Sequence, residues 1–389
     1  MRRAFRIALL ALLTLLAAPA MAGEAEIAAL VAVLRPGPTD FTLFSPDFLK
    51  AVPPAQIDAA LLPLKTSIGP VLDVVPKGGP SYAIETATHE MLADIGLDGT
   101  GKIAGLQLHP PVAKTASVDD LLKDWKTAAP QAGWLITRNG VTLAAEGADT
   151  PLAVGSAFKL GVLKALRDDI DAGRRHWDDV VKLAATNISL PSGTLQSWPV
   201  GSPLTLHTLA ALMISISDNT AADALLLLVG RDKVEAVLGI APVLTTRELF
   251  TLKTNAGLKA RYQAGDLAQK RAVIAEADAL PLPAINGVLT PHDDGVEYDL
   301  SPAKLCALIG AVADLDVTQI NPGVANKSQW ARVSFKGGSE VGVLSFTTQL
   351  TAADGTVYCA SGIWNGPAAL DEGAIGIAYG SVLAKLAKG

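Results

Sequence analysis

The distribution of strand-like and helical stretches along residues 117–389 most constrains the fold. Helical patterns dominate from about residue 156 to 315. Strand patterns occur at both ends of the region, near 133–137, 141–145, 331–335, 341–349 and 356–363. Strands at both ends with helices between them imply one antiparallel sheet assembled from the two ends. We therefore predict an α+β domain with a five-stranded antiparallel sheet, an inserted helical half, and a cleft between the two as the natural site.

Residues 24–112 have a different pattern and are predicted to form a separate small α+β domain. Helical segments at 24–34 and 54–69 precede alternating stretches at 81–89 and 102–108. A Pro-rich connector, 109–116, follows. Such a fold can hold a ligand, but no convergent acid/base set is present. A docking or folding module is the favoured interpretation.

Residues 1–22 have the layout of a secretory signal peptide. Basic residues precede the apolar run 7–19, and Ala20-Met21-Ala22 supplies a small-x-small cleavage pattern. The alternative, a membrane-anchoring helix, is disfavoured because the apolar run is short. We expect an exported protein, periplasmic or secreted, without a membrane span once the leader is removed.

Net charge, cysteines and histidines indicate which binding partners, disulfide bonds and cofactors to expect. Lys and Arg total 32 against 38 Asp and Glu, a net charge of −6, which argues against nucleic acid and anionic membranes. Cys306 falls on a predicted helix and Cys359 in a predicted strand. The two can pair in an oxidising compartment, but we favour two buried free thiols. The five His residues are scattered, so we expect neither a metal nor an organic cofactor.

The first of three short motifs is Ser156-x-x-Lys159 at the start of a predicted helix. This spacing puts both side chains on one helical face, so the amine can reach the hydroxyl. The helix N-terminus favours a developing alkoxide, and a partly buried, neutralised lysine can act as its base. The alternative is a helix cap beside a surface lysine.

The second motif, Ser217–Asn219, lies between two apolar helical segments. Ser217 can pass a proton to a leaving nitrogen, and Asn219 can donate to a substrate carbonyl. N-capping of the following helix is a compatible alternative.

The third motif is Lys336-Gly337-Gly338-Ser339, which leads into a strand. Glycines such as Gly338 let a backbone amide approach a substrate closely. The amides of Ser339 and Ser156 can then form an oxyanion hole. An ordinary turn is the alternative.

The order and separations of the three motifs, with the flanking phrases 204–210 and 217–222, resemble the penicillin-recognising serine enzymes, nearest to class A β-lactamases. The resemblance covers about residues 117–389. The small first domain and its connector resemble a subgroup of these proteins with an N-terminal domain of the ketosteroid-isomerase, NTF2 or cystatin type.

The resemblance implies a role for each motif residue. Ser156 is the acylated nucleophile and Lys159 its general base. Ser217 is the proton shuttle, Asn219 contacts substrate and Lys159, and Lys336 anchors a substrate carboxylate.

Two departures from the family pattern matter. Gly337 stands where the family usually has a hydroxyl, for which Ser334 or Ser339 can substitute, and Glu340 is either near the pocket or solvated. Class A enzymes also use a loop Glu, followed four residues later by Asn, to activate water. Glu248 is the candidate here but lacks that Asn, and a first-turn helical Glu is the plainer interpretation. We expect ready acylation and slow deacylation.

The sequence is consistent with three functions. The leading one is an exported serine hydrolase that opens β-lactams through a Ser156 ester. The second keeps this acylation but acts on a peptidoglycan-like peptide or an ester. The third is a binding protein that retains the fold with negligible turnover.

Overall fold

The structure is a computed structural model that describes residues 23–287, 290–292 and 295–388. The predicted leader, 1–22, lies outside the described residues and stays a prediction. The chain divides into two compact units between Ala113 and Lys114. Among the residues that the structure describes, no helix combines the length and apolar character needed to cross a bilayer.

The first unit consists of helices followed by an antiparallel sheet. The helices are α1 (Glu24–Val33), α2 (Pro46–Ala51) and α3 (Pro54–Ile68). The strands are β1 (Val71–Gly78), β2 (Ser81–Thr86), β3 (His89–Leu97), β4 (Ile103–Leu108) and β5 (Val112–Ala113). The sheet order is β1-β2-β3-β4, with β5 also paired to β3.

Alternating burial along the strands gives this unit its core. Met91, Ala93 and Ile95 of β3 are buried at every second position, as expected for a sheet with one covered face. They share a cluster with Leu30 of α1 and Ile57 of α3. This small α+β arrangement matches the predicted class. The proposed cystatin-like or NTF2-like subgroup stays a prediction.

The second unit begins with α4 (Val118–Thr127), β6 (Gln131–Arg138), β7 (Val141–Glu146) and β8 (Leu152–Ala153). Its helical half contains α5 (Lys159–Asp171), β9 (Val180–Lys182), β10 (Pro203–Thr205), α6 (Leu206–Ser215), α7 (Asn219–Val229), α8 (Arg231–Leu238), α9 (Thr246–Thr254), α10 (Ala256–Ala264) and α11 (Leu267–Asp278). It ends with β11 (Asp299–Leu300), α12 (Pro302–Gly310), β12 (Arg332–Glu340), β13 (Val343–Thr351), β14 (Val357–Asn365) and α13 (Glu372–Leu386).

The sheet of the second unit confirms the predicted architecture. Five strands of the described chain pair antiparallel in the order β12-β13-β14-β6-β7. The two ends of the unit meet where β14 pairs with β6, from Tyr358 opposite Arg138 to Asn365 opposite Gln131. The strand β12 pairs with β13 over nine consecutive positions without a register shift. This regular edge strand carries the third motif.

Two hydrophobic clusters hold the second unit together. One contains aromatic side chains of α4, the sheet and α13: Trp125 stacks on Tyr379 with ring centroids 5.0 Å apart, and the Trp364 indole donates to the Trp125 carbonyl at 2.9 Å. The other cluster contains the inward faces of α5, α6, α7 and α9, with fully buried residues such as Leu160 and Leu225. The start of α5 is therefore packed deep in the helical half.

The pairing of the two cysteines differs from the prediction. We expected two free thiols, and that expectation is wrong, because Cys306 and Cys359 form a disulfide with their Cα atoms 5.9 Å apart. The physical reason is tertiary: α12 packs across β13 and β14, which brings its half-buried thiol onto Cys359 of β14. Spacing along the sequence does not reveal that contact.

We expect the double substitution Cys306→Ser with Cys359→Ser to lower the free energy of unfolding by about 2–5 kcal/mol, because the cross-link restricts the unfolded chain. Denaturant unfolding under non-reducing conditions measures the difference. Thiol titration of the denatured wild type should find no free thiol. Two titratable thiols in protein purified without reductant would contradict the pairing.

Candidate active site

The first motif occupies the entry to α5. Ser156 lies in the 3₁₀ turn Gly155–Phe158, and Lys159 is the first residue of the α-helix. The amine Nζ lies 3.2 Å from Ser156 Oγ. Ser156 is half-buried, whereas Lys159 is fully buried. The spacing of the motif therefore places the partly accessible Ser156 hydroxyl beside the Lys159 amine, which is removed from water.

The second motif surrounds the same amine. Nζ of Lys159 donates to Asn219 Oδ1 at 2.6 Å and to the Ser217 carbonyl at 2.6 Å, and it lies 3.1 Å from Ser217 Oγ. Ser217 has a positive φ of 58°, a left-handed conformation that is uncommon for a residue with a Cβ. Asn219 is oriented by its own Nδ2, which donates to the Leu190 carbonyl at 3.0 Å.

Asp218 supports this motif without touching the amine. Its carboxylate caps α7 by accepting from Ala221 N at 2.9 Å. It also accepts from the backbone amides of Thr194 and Leu195 at 2.7 and 2.9 Å. The Ser192 hydroxyl adds a bond to the Ser217 carbonyl at 2.7 Å. The N-cap interpretation of the motif thus applies to Asp218, and it leaves Ser217 and Asn219 for the amine.

The third motif places a second buried lysine, Lys336, beside the Ser217 hydroxyl. Lys336 Nζ lies 3.1 Å from Ser217 Oγ and 2.5 Å from the Gly337 carbonyl. Burial lowers the pKa of Lys336 to about 7. Burial, followed by the nearby charge of Lys336, also lowers the pKa of Lys159 well below its usual value. Ser217 therefore lies between two amines whose charged forms are both disfavoured.

Glycines allow β12 to lie against the turn that carries Ser156. A Cβ on Gly338 would lie 2.1 Å from the Val154 carbonyl oxygen and 2.6 Å from Ser156 N. A Cβ on Gly155 would lie 3.3 Å from Ser339 N. The backbones bearing the Ser156 and Ser339 amides are therefore in direct contact, which is the juxtaposition an oxyanion hole requires.

Neither hydroxyl suggested as a replacement at position 337 is free in the structure. Ser334 is fully buried and donates to the Ala313 carbonyl at 2.8 Å. Ser339 Oγ donates to the Glu372 carboxylate, which belongs to α13. A Cβ on Gly337 would itself lie 2.9 Å from the Phe335 ring, so a larger residue here would require that ring to shift.

Glu340 is neither solvated nor an isolated charge. Its carboxylate pairs with Lys253 of α9, whose Nζ also lies 2.5 Å from Glu297 Oε1. Burial and the Glu340 charge raise the pKa of Glu297 to about 8. No sequence pattern indicates this cluster, because its three members are far apart along the chain.

Glu248 lies outside the cluster of the three motifs. Its Oε1 accepts from Arg231 at 2.6 Å, and its Oε2 accepts from Arg231 at 3.0 Å and from Thr245 N at 2.7 Å. The last bond completes a capping box at the start of α9. This buried carboxylate is bound on both oxygens, so the geometry favours the first-turn helical role over a water-activating base.

No metal ligand set accompanies these residues. In the described part of the chain, no group of three or more His, Cys, Asp and Glu side chains is placed to hold a metal ion. What the site offers is a hydroxyl, two buried amines, a second hydroxyl and closely packed backbone amides. These are the groups of nucleophilic acyl chemistry.

Comparison with known proteins agrees with this chemistry. Residues 116–279 match the model of the β-lactamase enzyme family. The matched part spans the first two motifs, and the resemblance of this region to the β-lactamase family is confirmed. The subgroup with a small N-terminal domain stays a prediction. No curated protein matches the chain.

Solved structures similar to the chain include β-lactamases and a protein called PBP-A. A β-lactamase from Sphaerobacter thermophilus is 23% identical with a TM-score of 0.49, over 68% of this chain and 93% of its own. PBP-A is 19% identical with a TM-score of 0.47, over 69% and 96%. A β-lactamase from Francisella tularensis is 13% identical with a TM-score of 0.48, over 70% and 97%.

We expect Glu248→Gln to act on stability and not on chemistry. The substitution leaves Arg231 partly buried without its counter-charge, which should cost about 3–5 kcal/mol. Chemical denaturation measures the loss. Turnover of a Ser156 ester by the folded fraction should change less than about threefold. A normally stable Glu248→Gln protein whose acyl-enzyme persists far longer than that of the wild type would instead identify Glu248 as the base.

Proposed function

We propose that the β-lactamase-family unit is a serine hydrolase that opens β-lactams through an ester on Ser156. The family match supports serine hydrolase activity. The finer statement rests on one observation, which is the set of groups around the Lys159 amine.

Counting donors and acceptors shows that a neutral Lys159 is compatible with the geometry. Asn219 Oδ1 and the Ser217 carbonyl, both 2.6 Å away, can only accept. A neutral amine has two N–H groups and one lone pair. If those two oxygens take the two N–H groups, the lone pair remains for a hydroxyl proton, and Ser156 Oγ lies 3.2 Å away. The lowered pKa of Lys159 favours this neutral form.

Acylation then follows from the positions of the groups. Ser156 Oγ forms a bond to the lactam carbonyl carbon while its proton passes to Lys159. The backbone amides of Ser156 and Ser339 stabilise the oxyanion. When the C–N bond of the ring breaks, the nitrogen takes the proton of the Ser217 hydroxyl, which recovers a proton from Lys159 at 3.1 Å. The product is a neutral ester with the ring opened.

The remaining motif residues hold the reacting groups in place and supply positive charge on the substrate side. Asn219 Oδ1 is bonded to Lys159, and its Nδ2 to the Leu190 carbonyl, so Asn219 contributes chiefly by holding the amine. The protonated fraction of Lys336 provides the positive charge at the β12 side. Gly338 keeps the strand close enough to Ser156 for the oxyanion pair.

Slow release of the ester is the second part of the proposal. The one carboxylate that the sequence suggested as water base, Glu248, is bound to Arg231 on both oxygens. The same geometry also supports the second candidate, a penicillin-binding type of peptidase or esterase, for which a stable β-lactam ester is a dead end. A binding protein without chemistry is the third, and it predicts no ester.

Mass spectrometry of the intact protein after incubation with a penicillin tests the proposal. We expect the wild type to gain the mass of the whole penicillin within minutes and to lose it over hours. Ser156→Ala should show no adduct. Lys159→Met, which removes the base but keeps most of the buried volume, should acylate at least about a hundredfold more slowly, within the range of acid–base contributions.

The control for these variants is Lys126→Met, an exposed lysine paired with Glu146 far from the motifs in sequence; it should acylate like the wild type. Circular dichroism establishes that each variant is folded. Adducts on folded Ser156→Ala, or a folded wild type that never gains mass, would contradict the proposed function.

A further inference from the structure

We propose that Glu372 makes the site acylate faster with acyl compounds that carry no carboxylate on the β12 side than with the matching carboxylates. This inference rests on the proposed function and names uncharged acyl compounds, such as esters of β-lactam acids, as the favoured substrate class, with the free acids as slower substrates. Glu372 is the specificity-determining residue, acting through the hydroxyl of Ser339.

Glu372 contacts the third motif through one hydrogen bond. Ser339 follows Gly338 at the end of the third motif, and its Oγ donates to Oε1 of Glu372. Glu372 is the first residue of α13, and both side chains are exposed. A negative charge therefore lies one hydrogen bond from the edge strand that carries the third motif.

An anionic substrate has few donors on this strand. The sequence of β12 contains only two hydroxyl residues, Ser334 and Ser339. The first is bonded to the Ala313 carbonyl and the second to Glu372. A substrate carboxylate that used the Ser339 hydroxyl would have to displace Glu372 and lie beside its like charge.

Two other charged residues of β12, Glu340 and Lys336, add little to or subtract little from the charge of Glu372. Glu340, which the sequence suggested as a pocket charge, is neutralised by Lys253. The raised pKa of Glu297 favours its uncharged form, so Lys253 and Glu340 balance each other's charge in this three-residue cluster. Lys336, with its pKa lowered to about 7, offers only part of a positive charge.

A matched pair of substrates tests the inference. Benzylpenicillin and its methyl ester differ at one group, a carboxylate against an uncharged ester. We measure the acylation rate constant of each by mass spectrometry for wild type and Glu372→Gln. We expect Glu372→Gln to raise the ratio of acid to ester rates about five- to tenfold. Because both partners are exposed, raising the salt concentration from about 0.05 to 0.5 M should shrink the difference between the proteins.

Asp119→Asn is the matched control. Asp119 is an exposed acid in the first turn of α4, in the same unit. Its substitution removes the same formal charge and should leave the ratio unchanged. A ratio in Glu372→Gln equal to that of the wild type, or an equal rise in Asp119→Asn, would overturn the selection by Glu372 while leaving acylation intact. If neither compound acylates the wild type, the proposed function fails, and the selection fails with it.

Discussion

Burial of the Lys159 amine is the constraint on which the rest of the site depends. An ordinary lysine is charged at neutral pH, and moving that charge out of water is costly. Here the amine is fully buried against two carbonyl-type oxygens and two hydroxyls. Lys336, also buried, opposes its charge. Because both folded-state pKa values lie below that of an unfolded lysine, stability should grow with pH from the lowered values up to about 10.5.

The fold maintains this arrangement by packing backbone against backbone. Gly338 leaves no space for a Cβ beside Val154 and Ser156, and the Ser345 hydroxyl fixes the Val154 carbonyl from the neighbouring strand at 2.8 Å. Asp218 ties the second motif to residues 194 and 195. Ser156, Ser217 and the backbone amides of Ser156 and Ser339 are therefore positioned by the sheet, a helix start and one interhelical connection.

Local patterns explain what the sequence could predict. Ser156 and Lys159 are one helical turn apart, so their contact follows from spacing alone, and the alternation in β6 and β14 identified the sheet. Contacts between remote elements carry no such pattern. The Cys306–Cys359 bond depends on α12 crossing β14, and the Glu248–Arg231 pair depends on how α8 meets α9. The exposed Ser339–Glu372 pair joins residues 33 apart, and no periodicity in the sequence marks it.

Titration of the Lys159 amine tests most directly whether this buried lysine is neutral in the folded protein. NMR of selectively labelled lysine side chains, assigned with Lys159→Met and Lys336→Met, reports the protonation of each amine as pH is raised. We expect Lys159 to lose its proton well below pH 10.5 in the folded protein and then to present a neutral amine to Ser156. A Lys159 signal that stays protonated up to about pH 10 in the folded protein would contradict it.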